Sequence, residues 1–263
     1  MPRQITQQFI ESLYGKLMAV IHNSGGNNDD VIILLSGYGQ TKTEFAYFYS
    51  ALARRLADRF TVVQFDYYGC GESDGNIEDV TIQILEENIS SVFQYVKKTF
   101  QNSRVSIISR GISNWLTDVI DPNEVERWVF IEPVDQLSLH PLYEIIEHVR
   151  KDGNSEQYEW ADIPFIEHVS WQKFFNQLGT PWYTLKGEYL KISRIMSICA
   201  LGDIDIALRL NNLSKVLTIN GNTSFTVANE MIETECEDED VLLYHPATRE
   251  KIIDKIANFF ENA

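Results

Sequence analysis

A serine, a histidine and a carboxylate can together make an acyl-transfer centre, in which the histidine takes the serine proton and the acid steadies the imidazolium. In this chain Ser113, His245 and either Glu132 or Asp135 fit those roles. Ser113 lies in Gly111-Ile112-Ser113-Asn114-Trp115, a degenerate form of the glycine-flanked turn that presents a nucleophile. The same stretch read directly from the apolar run Val105 to Ile108 is Ser109-Arg110-Gly111-Ile112-Ser113, which puts Gly111 at the apex and Ser113 at a small packing position. Glycine has no side chain with which to form a covalent intermediate. Glu132 and Asp135 also read as solvated residues. His140, His148 and His168 sit at amphipathic spacing and read as hydrogen-bonded surface residues.

Short apolar runs alternating with helical patterns must position these residues. Residues 5–23 read as two strands around Tyr14-Gly15, and Val31 to Leu35 reads as a strand buried on both faces. A helix from Thr43 to about Asp58 precedes strand Phe60 to Phe65. A second, from Asp79 as N-cap to Phe100, precedes strand Val105 to Ile108. A short helix from Ser113 leads to strand Trp128 to Ile131. After residues 134–200, rich in aromatics and without a clear buried strand, come strand Val216 to Ile219, a short helix from about Val227, strand Val241 to Tyr244 and a helix from Pro246 to Phe260. This order implies an α/β fold with a mostly parallel, doubly wound sheet and ligands at the strand carboxyl ends.

Composition narrows the partners. With 22 Lys plus Arg against 38 Asp plus Glu, the net charge of -16 opposes nucleic acid and anionic membrane surfaces. No apolar stretch approaches the roughly eighteen residues of a membrane span, and the start lacks a signal-peptide apolar run. Cys70, Cys199 and Cys236 are odd in number and show neither disulfide-framework nor metal-ligand spacing, so no metal or cofactor is expected and a reducing, cytoplasmic location fits. Cys70 has no basic neighbour in sequence and reads as a turn residue. The acidic run Glu235 to Asp240 reads as a solvated loop. The oligomeric state is not readable from these features.

The turns Leu35-Ser36-Gly37-Tyr38-Gly39 and Asp66-Tyr67-Tyr68-Gly69-Cys70-Gly71-Glu72-Ser73, with the strand-turn-helix at Ile108 to Trp115, resemble the α/β-hydrolase superfamily over nearly the whole chain. The likeness is to its capped serine-hydrolase branch of monoacylglycerol lipases, serine aminopeptidases and acyl thioesterases. It implies a core of residues 1–133 and 201–263 and a helical cap, or lid, at 134–200. It also implies oxyanion donors at the backbone of Tyr38 and Ile112 and a triad histidine at His245. Against that pattern two triad positions are vacated, the nucleophile by Gly111 and the acid by Ser224 in Gly221-Asn222-Thr223-Ser224. Two readings stand open. One is a degenerate hydrolase, a pseudoenzyme or unconventional enzyme that binds an acyl- or carbonyl-containing small molecule beneath the aromatic-rich cap. The other is an active ester, thioester or amide hydrolase or acyltransferase that uses Ser113 and His245 with Glu132 or Asp135.

Overall fold

The computed structural model describes residues 4–23, 30–37, 39–133, 182–185, 188–191, 213–219, 228–230 and 246–261. By chain contacts it divides into two compact units. The first comprises Met1–Gly75, Gln83–Asp135 and Asp205–Ala263, and the second Asn76–Ile82 and Gln136–Ile204.

The first unit opens with an antiparallel hairpin of β1 (Gln4–Glu11) and β2 (Lys16–Asn23), turned at Tyr14-Gly15 as the sequence predicts. There follow β3 (Val31–Leu35), α1 (Phe48–Leu56), β4 (Thr61–Phe65), α2 (Ile82–Thr99), β5 (Val105–Arg110), α3 (Ser113–Leu116) and β6 (Val125–Ile131). Later in the chain come β9 (Val216–Ile219), β10 (Ala228–Glu230) and α4 (Pro246–Glu261). The second unit contains the antiparallel hairpin of β7 (Trp182–Leu185) and β8 (Glu188–Lys191). Eight strands make one sheet in the order β1-β2-β4-β3-β5-β6-β9-β10, parallel from β4 onward.

The apolar runs form strands because both faces of the sheet are covered. Ile32, Leu34, Val62, Ile108 and Val129 pack in one cluster with Phe48 and Leu52 of α1 and Ile252 and Ile256 of α4. The alternate residues Ile33, Val63, Ile107 and Phe130 are buried as well. Such a strand has no polar face to show, so its sequence does not alternate. Helix α1 departs from the predicted Thr43 start: a 3-10 turn at Phe45–Tyr47 precedes it, with Glu44, Ala46 and Tyr47 all at positive φ.

Further expectations change. Asp79 ends a 3-10 turn at Ile77–Asp79 and does not cap α2, which begins at Ile82. Strand β5 runs two residues beyond Ile108, so Ser109 and Arg110 belong to the strand. Residues 228–230 are a strand parallel to β9 where a helix was expected, because backbone pairing along that sheet edge prevails over local pattern. The span 134–200, read as without a clear buried strand, contains the short strands β7 and β8. The predicted strand Val241 to Tyr244 and the expected helices of the cap lie outside the described residues.

Candidate functional site

Strand β3 is followed by β4 on one side of it and by β5 on the other. At such a reversal of winding, by the carboxyl ends of β3 and β5, open α/β sheets bind their ligands. Ser36-Gly37 leaves β3 there, and Arg110-Gly111 leaves β5.

Gly111 adopts φ +57°, and its carbonyl accepts a hydrogen bond from Asn114 N at 3.0 Å as α3 begins. A strand that turns this sharply into a helix places one residue in the left-handed region, where the nucleophile of such a turn stands. A Cβ added at Gly111 would meet only the Cα of Gly37, at 3.7 Å, so the space for a side chain exists. The apex thus has the backbone course of a sharp strand-to-helix elbow, with glycine at its turning point.

Ser113 sits two residues on, fully buried. Its hydroxyl donates to the carbonyl of Ser36 at 2.6 Å and pairs with the Tyr67 hydroxyl at 2.9 Å. Burial pushes the Tyr67 phenol far above its ordinary range, and the Ser113 hydrogen bond opposes that rise only in part. Ser113 ties the elbow helix to the end of β3. Ser109 and Asn114 add a second tie: Ser109 Oγ donates to Asn114 Oδ1 at 2.7 Å, and Asn114 Nδ2 donates to Ile131 O at 3.1 Å.

Arg110, the residue before the apex, organises a group of charges that no sequence motif announced. Its Nε and Nη2 donate to Glu132 Oε2, each at 2.8 Å, and its Nη1 donates to Glu44 Oε2 at 3.1 Å. Glu44 is buried, and its carboxylate also accepts from Gly37 N at 2.5 Å and Phe45 N at 2.6 Å. Burial alone would lower the pKa of Arg110, but the charges of Glu132 and Glu44 more than offset it and the net displacement is upward. Glu44 and Glu132 both hold positive φ, at 58° and 51°. Strained non-glycine residues of this kind cost about 1–3 kcal/mol each and gather at functional sites. Glu132, the sequence's candidate acid, is therefore engaged with Arg110. An arginine ending a buried strand requires partners, and that is the signal that could have exposed the group; Glu44 itself carried none.

The neighbouring turn after β4 explains the glycine-rich string. Asp66 is buried; its Oδ1 accepts from Lys42 N at 2.6 Å, and its Oδ2 from Lys42 Nζ at 2.7 Å and Glu72 N at 3.0 Å. Ser73 Oγ donates to the Asp66 carbonyl at 2.6 Å and accepts from Met18 N at 2.9 Å. A Cβ on Gly71, at φ +54°, would overlap the Asp66 carboxylate, so this glycine is demanded by the aspartate. Cys70 is buried in this turn, its N–H on the Tyr67 carbonyl at 2.9 Å.

Ile112 opens α3 directly after the apex. Tyr38, Asp135, Ser224 and His245 lie outside the described residues, as do His140, His148 and His168. Among the described residues no group of three or more metal-ligating side chains converges, and no helix is long and apolar enough to cross a membrane.

No family model and no curated protein matches the chain. Solved structures do. Est1E from Butyrivibrio proteoclasticus with ferulic acid bound is 18% identical with a TM-score of 0.59, over 95% of this chain and 99% of that one. A highly thermostable carboxyl esterase from Bacillus coagulans in complex with glycerol is 10% identical at TM-score 0.64, over 98% of each chain. The α/β hydrolase GrgF from a Penicillium species is 13% identical at TM-score 0.61, over 100% of this chain and 99% of that one. With the sheet order and the elbow, these likenesses establish that the chain has the α/β-hydrolase fold.

Proposed function

We propose that this protein binds a small molecule bearing an acyl or carbonyl group at the carboxyl ends of β3 and β5, and that it does so without forming a serine acyl-enzyme. The observation that carries this reading is Gly111 at the elbow apex, in the left-handed conformation a nucleophile would hold. The geometry of Ser113 supports it: a buried hydroxyl bonded to Ser36 O and Tyr67 is spent on holding the turn together. Without a side chain at the apex, a ligand carbonyl can approach the backbone donor expected at Ile112, the role that preorganised N–H groups play toward oxygen in this fold.

The charges beside the elbow refine the ligand class. Glu44, Arg110 and Glu132 together carry one net negative charge, so a neutral ester, thioester, amide or ketone suits the site better than a free carboxylate.

The test is reaction with a fluorophosphonate probe and mapping of any adduct, alongside hydrolysis of short-chain p-nitrophenyl esters. The expected result is no adduct and no hydrolysis above buffer. An adduct on Ser113 that Ser113→Ala abolishes would overturn the proposal in favour of an active hydrolase based on Ser113 and His245.

A further inference from the structure

At the opposite pole of the sheet, by the amino ends of β3 to β6, lies an open cleft of about 480 Å3, adjoining solvent included. Three arginines line it, Arg59, Arg104 and Arg127, with the carboxylates of Asp30, Glu126 and Glu261. The carboxylates are already matched. Asp30 receives Arg104 in a two-pronged pair at 2.9 and 2.6 Å, Glu126 pairs with Lys215 and, at 3.8 Å, with Arg104, and Glu261 pairs with Arg55 at 2.7 Å.

Arg127 is different. It is only 7% exposed, and among the described residues no carboxylate lies within ion-pairing distance. Its Nη1 donates to the carbonyls of Phe259 at 3.3 Å and Phe260 at 2.9 Å, at the negative end of the α4 dipole, and the guanidinium lies about 6 Å from both phenyl rings. Those contacts account for one edge of the group. Its Nε is buried with no hydrogen-bond partner. A buried guanidinium with no counter-ion among the described residues is costly, and an anion in the cleft that Arg127 lines would supply one. Arg59 is exposed at the same cleft and, among the described residues, makes no ion pair.

We propose that this cleft is a binding site for a small phosphate, either the free ion or the end of a phosphomonoester, held chiefly by Arg127 and Arg59. Arginine suits this task because its planar donors match phosphate oxygens in pairs. The site stands apart from the elbow at Gly111, at the other ends of the same strands, and does not depend on the function proposed there.

The full chain would be titrated calorimetrically with inorganic phosphate and with phenyl phosphate, at an ionic strength held constant with chloride. Saturable binding at a single class of site is expected, weakened about tenfold by Arg59→Gln, the worth of one charged hydrogen bond. Arg59 is exposed and makes no side-chain ion pair or hydrogen bond among the described residues, so this variant remains informative if Arg127→Met fails to fold. Tighter binding of phenyl phosphate would identify a monoester site, and equal or tighter binding of inorganic phosphate the free ion; either supports the proposal. Absence of saturable binding, equal affinities for the parent chain and Arg59→Gln, or acetate binding as tightly as phosphate would overturn it.

Discussion

The turns after β4 and β5 leave the same end of the sheet, one on each side of β3, and both depend on glycines at positive φ, yet they have kept different things. The β4 turn retains every residue of its motif because each one holds another: Asp66 accepts three donors and Gly71 makes room for it. The β5 turn has Gly111 at its apex, and a partly buried ion group, Glu44, Arg110 and Glu132, stands beside it. The difference teaches that backbone shape and reactive groups are separable. A turn built from mutual hydrogen bonds depends on its own side chains for stability, whereas the elbow apex has room for a side chain yet stays folded with glycine there.

Substitutions should divide along the same line. The largest effect is expected from Asp66→Ala, which takes from Lys42 the buried one of its two carboxylate partners, leaves two backbone donors unmatched and should lower stability by about 4 kcal/mol in denaturant unfolding. Gly71→Ala should follow at about 3 kcal/mol, since the new methyl overlaps Asp66 at an unfavourable φ. A loss under 1 kcal/mol at either position would break the comparison. Ser113→Ala should cost about 2 kcal/mol by stranding the Tyr67 hydroxyl in the core, which urea unfolding would register. Gly111→Ser should cost only about 1 kcal/mol, because its Cβ finds open space and the penalty is conformational. If Gly111→Ser proved as harmful as Gly71→Ala, the elbow would be as tightly built as the β4 turn.

The smallest effect concerns pH. Burial raises the pKa of Tyr49, whose hydroxyl donates to Leu35 O at 2.9 Å, and of Tyr67, both from an ordinary value near 10. A phenol whose folded pKa is raised lends stability that is whole below the unfolded value and is lost as pH rises above it. Unfolding free energy should therefore fall as pH climbs from about 9 to 11, and Tyr67→Phe should make that decline shallower.

Much of the frame was legible. Val31 to Leu35 and Val105 to Ile108 announced strands because burial on both faces leaves no polar alternation, and the glycines of the β4 turn marked a bend that only they can make. Gly111 was legible as the apex residue because a strand, a small residue and a helix follow one another in sequence. The strand at 228–230 was not, because a three-residue strand exists through its neighbour β9 and leaves no periodicity of its own. The clamp of Glu44 and Glu132 on Arg110 was hidden for a related reason: its members lie 66 and 22 residues from the arginine along the chain.

The sequence by itself determined the α/β alternation, the glycine turns and the absence of a hydroxyl at Gly111, since these follow from local chemistry and hydrophobic pattern. Only the tertiary structure decided that Ser113 spends its hydroxyl inside the core, that Glu132 answers Arg110, and that Arg127 is buried with no counter-ion among the described residues. What a polar side chain does depends on which distant groups the fold brings within about 3 Å of it, and no local pattern encodes that distance.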